Sequence, residues 1–334
     1  MQRRRNRIVG KKEQRDDDEA DQRNDLPERQ DVDRYRAVFH ADEVNGFRAL
    51  CQRDDVEAVL LFSPEWYGPL PIYAACEAGK AIYCASAFDL KPEQADDVRQ
   101  RVETAGIAFM AEFPRRLAPA TVRLKELIAT RIGKPRLMFC HRRVPQERSK
   151  NLRQREAECP AALREMMELV DWCRYVVGCE ATSVLGVKHY NNGDGGEDYQ
   201  MMNLDFSSPG QLGYGPTAQI SSGQYMPSHW PEASSFRPPA ALQVACERGI
   251  AFVDLPYTLT WFDEAGRHME ALESERPVGE ALLLNFHRAV TSLVLRTIDL
   301  EDTYRALRIV QAAELSAKEG QRITFDFSTR PQDE

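Results

Sequence analysis

Two carboxylates about one helical turn apart are the residues of this 334-residue chain whose spacing most directly suggests proton chemistry. Glu168 and Asp171 occupy positions i and i+3 of a helix predicted over residues 160–177, so both side chains lie on one face. Repulsion between close carboxylates raises a pKa toward neutrality, and such a group can exchange a proton with a substrate. Both are therefore candidate catalytic residues. The alternative is a solvated or salt-bridged helix face.

Other side chains suggest ligand binding. Arg116 can bind an anionic substrate or hold a loop through a salt bridge, and His189 ends a predicted strand, where it can face a substrate or be structural. Trp66 and Trp172 can stack on a ligand ring, although core packing is the usual role of tryptophan. We take Arg116, Trp172 and His189 as candidate substrate-binding residues. The other histidines lack metal-ligand spacing, so we predict no metal site; they are His40, His141, His229, His268 and His287.

Residues 54–90 are the stretch that we expect to position ligand-binding side chains. A nearly continuous apolar run at 56–62 is typical of a strand buried on both faces of a parallel sheet, a helix is predicted at 69–78, and a second strand at 80–84. Strand, helix and strand in this order form a βαβ unit with a right-handed crossover. Ligands of such sheets lie beyond the carboxyl ends of the strands. Those ends are followed by residues 63–66 and 85–88.

This stretch also carries a resemblance to a known family. The matching residues are Asp55-Val56-Glu57-Ala58-Val59, Ser63-Pro64, Ala78-Gly79-Lys80 and Tyr83-Cys84. They resemble the second half of the nucleotide domain in the glucose–fructose oxidoreductase, inositol dehydrogenase and MocA (Gfo/Idh/MocA) family. By the order of its elements the resemblance spans roughly residues 35–327. It implies an α/β fold, with a Rossmann-like domain followed by an α+β domain whose open sheet is mainly antiparallel.

The resemblance implies a function as well as a fold. Family members transfer hydride between NAD or NADP and a sugar, polyol or sugar derivative, and they commonly assemble through the sheet face into homo-oligomers. Asp171 matches a common family aspartate, and Arg116 a common loop arginine. Ser86 stands where the family has its catalytic lysine, Glu168 replaces a histidine, and Gly68 replaces another. The cofactor-binding positions implied in this way are Phe62, Ser63, Pro64, Trp66, Ala85 and Ser86, with Ser86 also at the catalytic position.

The main departure from the family pattern concerns the phosphate-binding half of a dinucleotide fold, which we do not find in the sequence. Such a fold opens with strand, G-x-G-x-x-G and helix, but only Gly10 precedes the predicted strand at 35–39. Residues 1–34 instead form a charged stretch for which we predict disorder. Either the start of the sequence is misplaced or the phosphate cradle is lost. The second hypothesis is therefore a non-catalytic relative that serves as a binding or assembly protein.

The order of predicted elements also indicates how the chain divides into domains. We expect a partial Rossmann-like domain at 35–134, an α+β substrate and oligomerisation domain at 135–328, and a tail at 329–334. The second domain is expected to hold about six short strands, close to the mean for a sheet. Two helices, at 278–295 and 300–318, are expected to follow them.

Composition narrows the function classes. The net charge of −8 and the isoelectric point near 5.5 argue against a general nucleic-acid binder. No apolar run approaches the roughly 18 residues of a membrane span, and no apolar segment follows the N-terminus as in a signal peptide. The eight cysteines lie mostly in apolar segments without CxxC spacing, which favours free thiols in the cytoplasm. We expect no nucleic-acid or membrane partner.

Overall fold

The computed structural model describes residue 42 and the ranges 44–62, 68–85, 92–146, 161–191, 197–227, 229–230, 232, 240–272, 276–291 and 298–325. The strands and helices of these residues form two sheets with helices packed around them. The predicted strand at 35–39 and the charged segment 1–34 lie outside the described residues.

The smaller sheet has three parallel strands among the described residues, in the order β1-β2-β3. They are β1 (Ala58–Leu61), β2 (Ala81–Cys84) and β3 (Phe109–Ala111). All four residues of β2 are buried, as expected of a central parallel strand with cover on both faces. The predicted βαβ unit is thus confirmed by the parallel pairing of β1 with β2.

Short helices connect and precede these strands. They are α1 (Phe47–Cys51), α2 (Leu70–Glu77) and α3 (Pro92–Ala105). After α2 the chain turns at Gly79, whose φ of 65° requires glycine; Lys80 N then donates to Ala75 O, as in a Schellman cap. The spacing of Val44, Phe47, Leu50 and Cys51 in the sequence predicts a longer first helix, at 41–53. That bound is wrong because Gly46 takes a φ of 91° and Asp42 pairs with Arg53 outside the helix.

The larger sheet has nine strands among the described residues, in the order β11-β10-β9-β8-β4-β7-β6-β5-β12. Of the described strand pairs in this sheet only β4–β7 is parallel, so the sheet is mainly antiparallel, as predicted. The strands are β4 (Pro135–Gln146), β5 (Ser183–Tyr190), β6 (Glu197–Asp205), β7 (Thr217–Pro227), β8 (Leu242–Cys246), β9 (Ile250–Asp254), β10 (Thr258–Asp263), β11 (Gly266–Ala271) and β12 (Ile323–Thr324). The expected number of six was too low. The polar edge strand β11 and the two-residue β12 do not have the apolar pattern of a strand.

Five further helices in the described part of the chain pack around the two sheets. They are α4 (Pro114–Leu117), α5 (Pro119–Leu127), α6 (Ala161–Val177), α7 (Val278–Thr291) and α8 (Ile298–Glu319). Leu282 and Phe286 of α7 cover one face of the small sheet, where the Phe286 ring lies 5.4 Å from that of Tyr83. The opposite face of that sheet joins a core that continues to the large sheet. Among the described residues, no helix is both long and apolar enough to cross a membrane.

Helix α8 holds the two sheets together. It packs against β5 of the large sheet, against α6, and against β3 and α3 beside the small sheet. Gly186 on β5 lets this helix come close: its backbone nitrogen donates to Ser316 Oγ, and a Cβ on Gly186 would lie 2.0 Å from the carbonyl oxygen of Ala313. The relative positions of the two sheets therefore depend in part on this closely packed helix.

Candidate functional site

The carboxyl ends of the three parallel strands form one edge of the small sheet. Phe62 follows β1 and is 67% exposed, Ala85 follows β2, and Glu112 follows β3. Backbone hydrogen bonds hold these ends together, since Ala85 N donates to Leu61 O and Glu112 N donates to Cys84 O. The structure therefore brings Phe62 and Ala85 to one edge, as predicted for a ligand cleft. The predicted positions Ser63, Pro64, Trp66 and Ser86 lie outside the described residues.

Beside this edge, α6 presents Glu168 to a group of charged side chains. Arg115 pairs with Glu168 and, at 3.1 Å, with Glu165. Burial raises the pKa of Glu168; Glu165 and Glu112 raise it further, and Arg115 opposes the shift. Arg142 on β4 contacts Glu165 at 3.0 Å. We call Glu112, Arg115, Arg142, Glu165 and Glu168 the carboxyl-edge cluster. It contains three acidic and two basic side chains.

Asp171 has different surroundings from Glu168. Its side chain is 1% exposed, and Arg116 contacts both carboxylate oxygens, one of them at 2.6 Å. Burial raises the pKa of Asp171, and the bidentate hydrogen bond with Arg116 opposes that shift. Because guanidinium groups take up both oxygens, this geometry favours the salt-bridge interpretation of Asp171 over proton transfer.

The guanidinium of Arg116 is likewise bound to carboxylates of the protein. It also contacts Asp302 of α8 at 2.8 Å, and Arg174 of α6 contacts Asp302 at 3.0 Å. Arg174 in turn pairs with Glu180, at 2.8 Å. The network thus joins α4, α6 and α8. It supports the structural alternative for Arg116.

Two other sequence candidates lie elsewhere. Trp172 is fully buried and donates its indole N–H to Thr121 Oγ1 at 3.0 Å, so the structure places it in the core, contrary to its predicted contact with a substrate. His189 is exposed on β5, and its Nδ1 contacts Asp198 on β6 at 2.6 Å. No described contact connects His189 to the carboxyl-edge cluster.

Glu112 is a site candidate that the sequence motifs did not reveal. It is partly buried, its carboxylate accepts a hydrogen bond from the hydroxyl of Tyr83, and burial raises its pKa. The signal was present, because the rule that ligands lie beyond strand ends applies to the third strand as well as to the first two. Among the described residues, no group of three or more histidine, cysteine, aspartate or glutamate side chains is arranged to hold a metal ion.

Comparison with known proteins identifies the fold. An aldose-aldose oxidoreductase from Caulobacter crescentus, solved with glycerol, superposes with a TM-score of 0.75 at 16% identity over 89% of each chain. A levoglucosan dehydrogenase, solved with NADH and levoglucosan, gives 0.73 at 16% identity over 89% of this chain and 87% of its own. An NAD binding oxidoreductase from Klebsiella pneumoniae gives 0.71 at 16% identity over 88% and 87%.

The sequence comparisons are weaker. No protein-family model matches the chain. The "Uncharacterized oxidoreductase YrbE" of Bacillus subtilis (strain 168) is 24% identical over 139 residues, which cover 41% of this chain and 40% of that protein. The chain thus aligns with about two fifths of the length of the curated relative. The structural likeness nonetheless confirms the predicted fold class, and the chain has the fold of the Gfo/Idh/MocA-type oxidoreductases.

Proposed function

We propose that the protein is an oxidoreductase that transfers hydride between NAD or NADP and a carbinol carbon of a sugar, polyol or sugar derivative. The observation that carries this proposal is the carboxyl edge of the small parallel sheet, which lies next to the partly buried carboxylates Glu112 and Glu168, whose pKa values are raised by burial. Such an edge is where α/β sheets bind ligands. The likeness to a levoglucosan dehydrogenase solved with NADH supports the same class of reaction.

The described part of the edge fits the nicotinamide end of a dinucleotide. Phe62 and Ala85 are uncharged residues at the ends of β1 and β2, and Glu112 follows β3 beside them. Helix α2, in contrast, begins after Pro69 and contains Pro71 in its first turn. Because proline has no N–H, this helix N-terminus is a poor phosphate site. We propose that Phe62, Ser63, Pro64, Trp66, Ala85 and Ser86 hold the nicotinamide, which when bound supplies the hydride acceptor or donor.

The test of this function is cofactor binding followed by turnover. We expect NADH or NADPH to bind in isothermal titration calorimetry, and NAD⁺ or NADP⁺ to be reduced with at least one member of a panel of aldoses, inositols and anhydrosugars. A protein that binds neither dinucleotide at millimolar concentration is not a dehydrogenase. It is then the non-catalytic binding protein of the second hypothesis.

Replacing Ser86 by lysine is expected to raise turnover by up to about 10²-fold, the low end of what a positioned proton-transfer group contributes. The serine hydroxyl is a weak base without an activating neighbour, whereas the resemblance puts a lysine at this position. The measurement is kcat with saturating cofactor and the best substrate of the panel. Ser208→Lys, at an exposed loop position, is the control. Unchanged turnover with cofactor bound would remove position 86 from the proton path.

We also propose that the protein is a homo-oligomer that assembles through the open face of the nine-stranded sheet. Gly186 faces α8, so its neighbour Val187 lies on the opposite face, where it is 44% exposed. Leu137 on β4 and Met269 on β11 are also exposed, at 49% and 69%. With this assembly we propose the domain division at residue 134 and, because the described cysteines are free thiols, a cytoplasmic location.

Val187→Glu is expected to lower the oligomeric state, because a carboxylate buried in the proposed interface loses its hydration without gaining a partner. The measurement is molar mass by size-exclusion chromatography with light scattering. Leu283→Glu is the matched control, since Leu283 is also 44% exposed but lies on α7. An unchanged mass for Val187→Glu, or a monomeric wild type, would contradict assembly through this face.

A further inference from the structure

The third strand of the small sheet is followed by a carboxylate at the carboxyl edge of that sheet. Glu112 follows β3 directly, and its backbone N–H is fixed to Cys84 O at 2.8 Å, at the end of β2. Its carboxylate accepts a hydrogen bond from Tyr83, whose ring is packed on Phe286 of α7. The side chain is therefore held in place beside residue 85, where the sequence resemblance puts the catalytic loop.

The charged surroundings of Glu112 differ from those of Glu168. Tyr83 on β2 is its hydrogen-bond partner, Glu168 on α6 is the charge that interacts with it, and α7 contributes Phe286 behind Tyr83. Among the described residues, no lysine, arginine or histidine forms an ion pair with Glu112. Glu168, in contrast, is paired with the guanidinium of Arg115. Of the two carboxylates, only Glu112 has no cation bound to it within the described part of the chain.

We infer that Glu112, rather than Glu168, accepts the hydroxyl proton of the substrate, and this assignment rests on the function proposed above. When a carbinol is oxidised, its C–H electron pair leaves as hydride to the oxidised nicotinamide, and the O–H electrons form the carbonyl. The hydroxyl proton is then left over, and the protein has to take it up. A carboxylate bound to a guanidinium resists protonation, whereas a half-buried carboxylate hydrogen-bonded only to a phenol takes up a proton readily.

The first test compares two isosteric variants with the substrate and cofactor found by the panel. Glu112→Gln is expected to lower kcat/KM by about 10²-fold or more, the size of a lost general base. Glu168→Gln is expected to lower it less than Glu112→Gln does. An active wild type whose Glu112→Gln variant keeps its rate overturns this assignment alone. A wild type that binds no dinucleotide and oxidises no sugar overturns the proposed function.

Tyr83→Phe gives a second test, because its expected result would not be produced by a purely structural role of Glu112. The variant keeps the ring on Phe286 and removes only the hydroxyl, whose hydrogen bond lowers the pKa of Glu112. A base must be deprotonated to accept a proton, so the rate falls on the acid side of the pH profile. In Tyr83→Phe the pKa of Glu112 rises, and that acid limb is expected to move to higher pH. An unmoved limb contradicts the assignment.

A third readout needs neither cofactor nor substrate. Because burial raises the pKa of Glu112 in the folded protein above its ordinary value of 4.5, the folded state binds this proton more tightly than the unfolded state. The contribution of Glu112 to stability is then largest below about pH 4.5 and is lost as the pH rises through the folded pKa. The free energy of unfolding in urea, taken as wild type minus Glu112→Gln, is expected to show this decline as the pH rises. A difference that does not change with pH refutes a raised pKa and with it the assignment.

Discussion

Replacing Arg116 by alanine is expected to destabilise the protein by about 3–5 kcal/mol, the usual cost of removing one partner of a buried ion pair. The variant leaves Asp171 with 1% of its side chain exposed and with Arg174 as a distant partner at 3.5 Å. It also frees Asp302 from its 2.8 Å contact. The measurement is the free energy of unfolding from urea titration followed by circular dichroism.

Arg53→Ala is the matched control for this prediction. Arg53, like Arg116, pairs with two carboxylates, those of Asp42 and Asp55, but these are 74% and 65% exposed. Water replaces the lost guanidinium at such a surface, so we expect almost no change in stability. If Arg116→Ala were as stable as Arg53→Ala, the network among α4, α6 and α8 would not hold the fold together. Asp171 would then again be a candidate for the active site.

Gly186→Ala is expected to destabilise the protein by about 3 kcal/mol or more, at or above the upper end of overpacking effects. The added methyl carbon would lie 2.0 Å from the carbonyl oxygen of Ala313 and 2.8 Å from its carbonyl carbon. These are backbone atoms of α8, so a side-chain rotation cannot relieve the clash. Either β5 or α8 must move, and α8 also packs against β3 of the small sheet.

The same substitution at Gly279 separates the clash from any general effect of losing a glycine. Gly279 lies in α7, and a methyl carbon added to it would have no neighbouring atom within 4 Å. Alanine there is expected to leave the protein unchanged or to stabilise it by up to about 1 kcal/mol. Thermal unfolding of both variants measures the contrast. A Gly186→Ala protein with wild-type stability would mean that α8 does not contact β5 as described.

Local sequence determined the small sheet and most helices. The nearly continuous apolar run at 56–62 predicts a strand buried on both faces. The strand β1 forms there, but the burial on both faces is not found among the described residues, since Leu60 is 40% and Phe62 67% exposed. Gly79 ends α2 because only glycine takes a φ of 65° at no cost. The buried face of α6 could also be predicted from local sequence, because Met166, Val170 and Cys173 recur at helical spacing. All three are buried in the structure. Such signals depend on neighbours within one or two turns of chain.

Only the tertiary structure decided what the charged residues contact. Glu168 and Asp171 are three positions apart and look equivalent in sequence, yet Glu168 meets Arg115 and Asp171 meets Arg116. These partners lie 53 and 55 residues away in the chain, and Asp302 is 186 residues from Arg116. Residue spacing within one helix fixes which side chains share a face. It does not fix which opposite charges the packing of other helices brings to that face, and those charges determine whether a carboxylate is held in a salt bridge or left free to take up a proton.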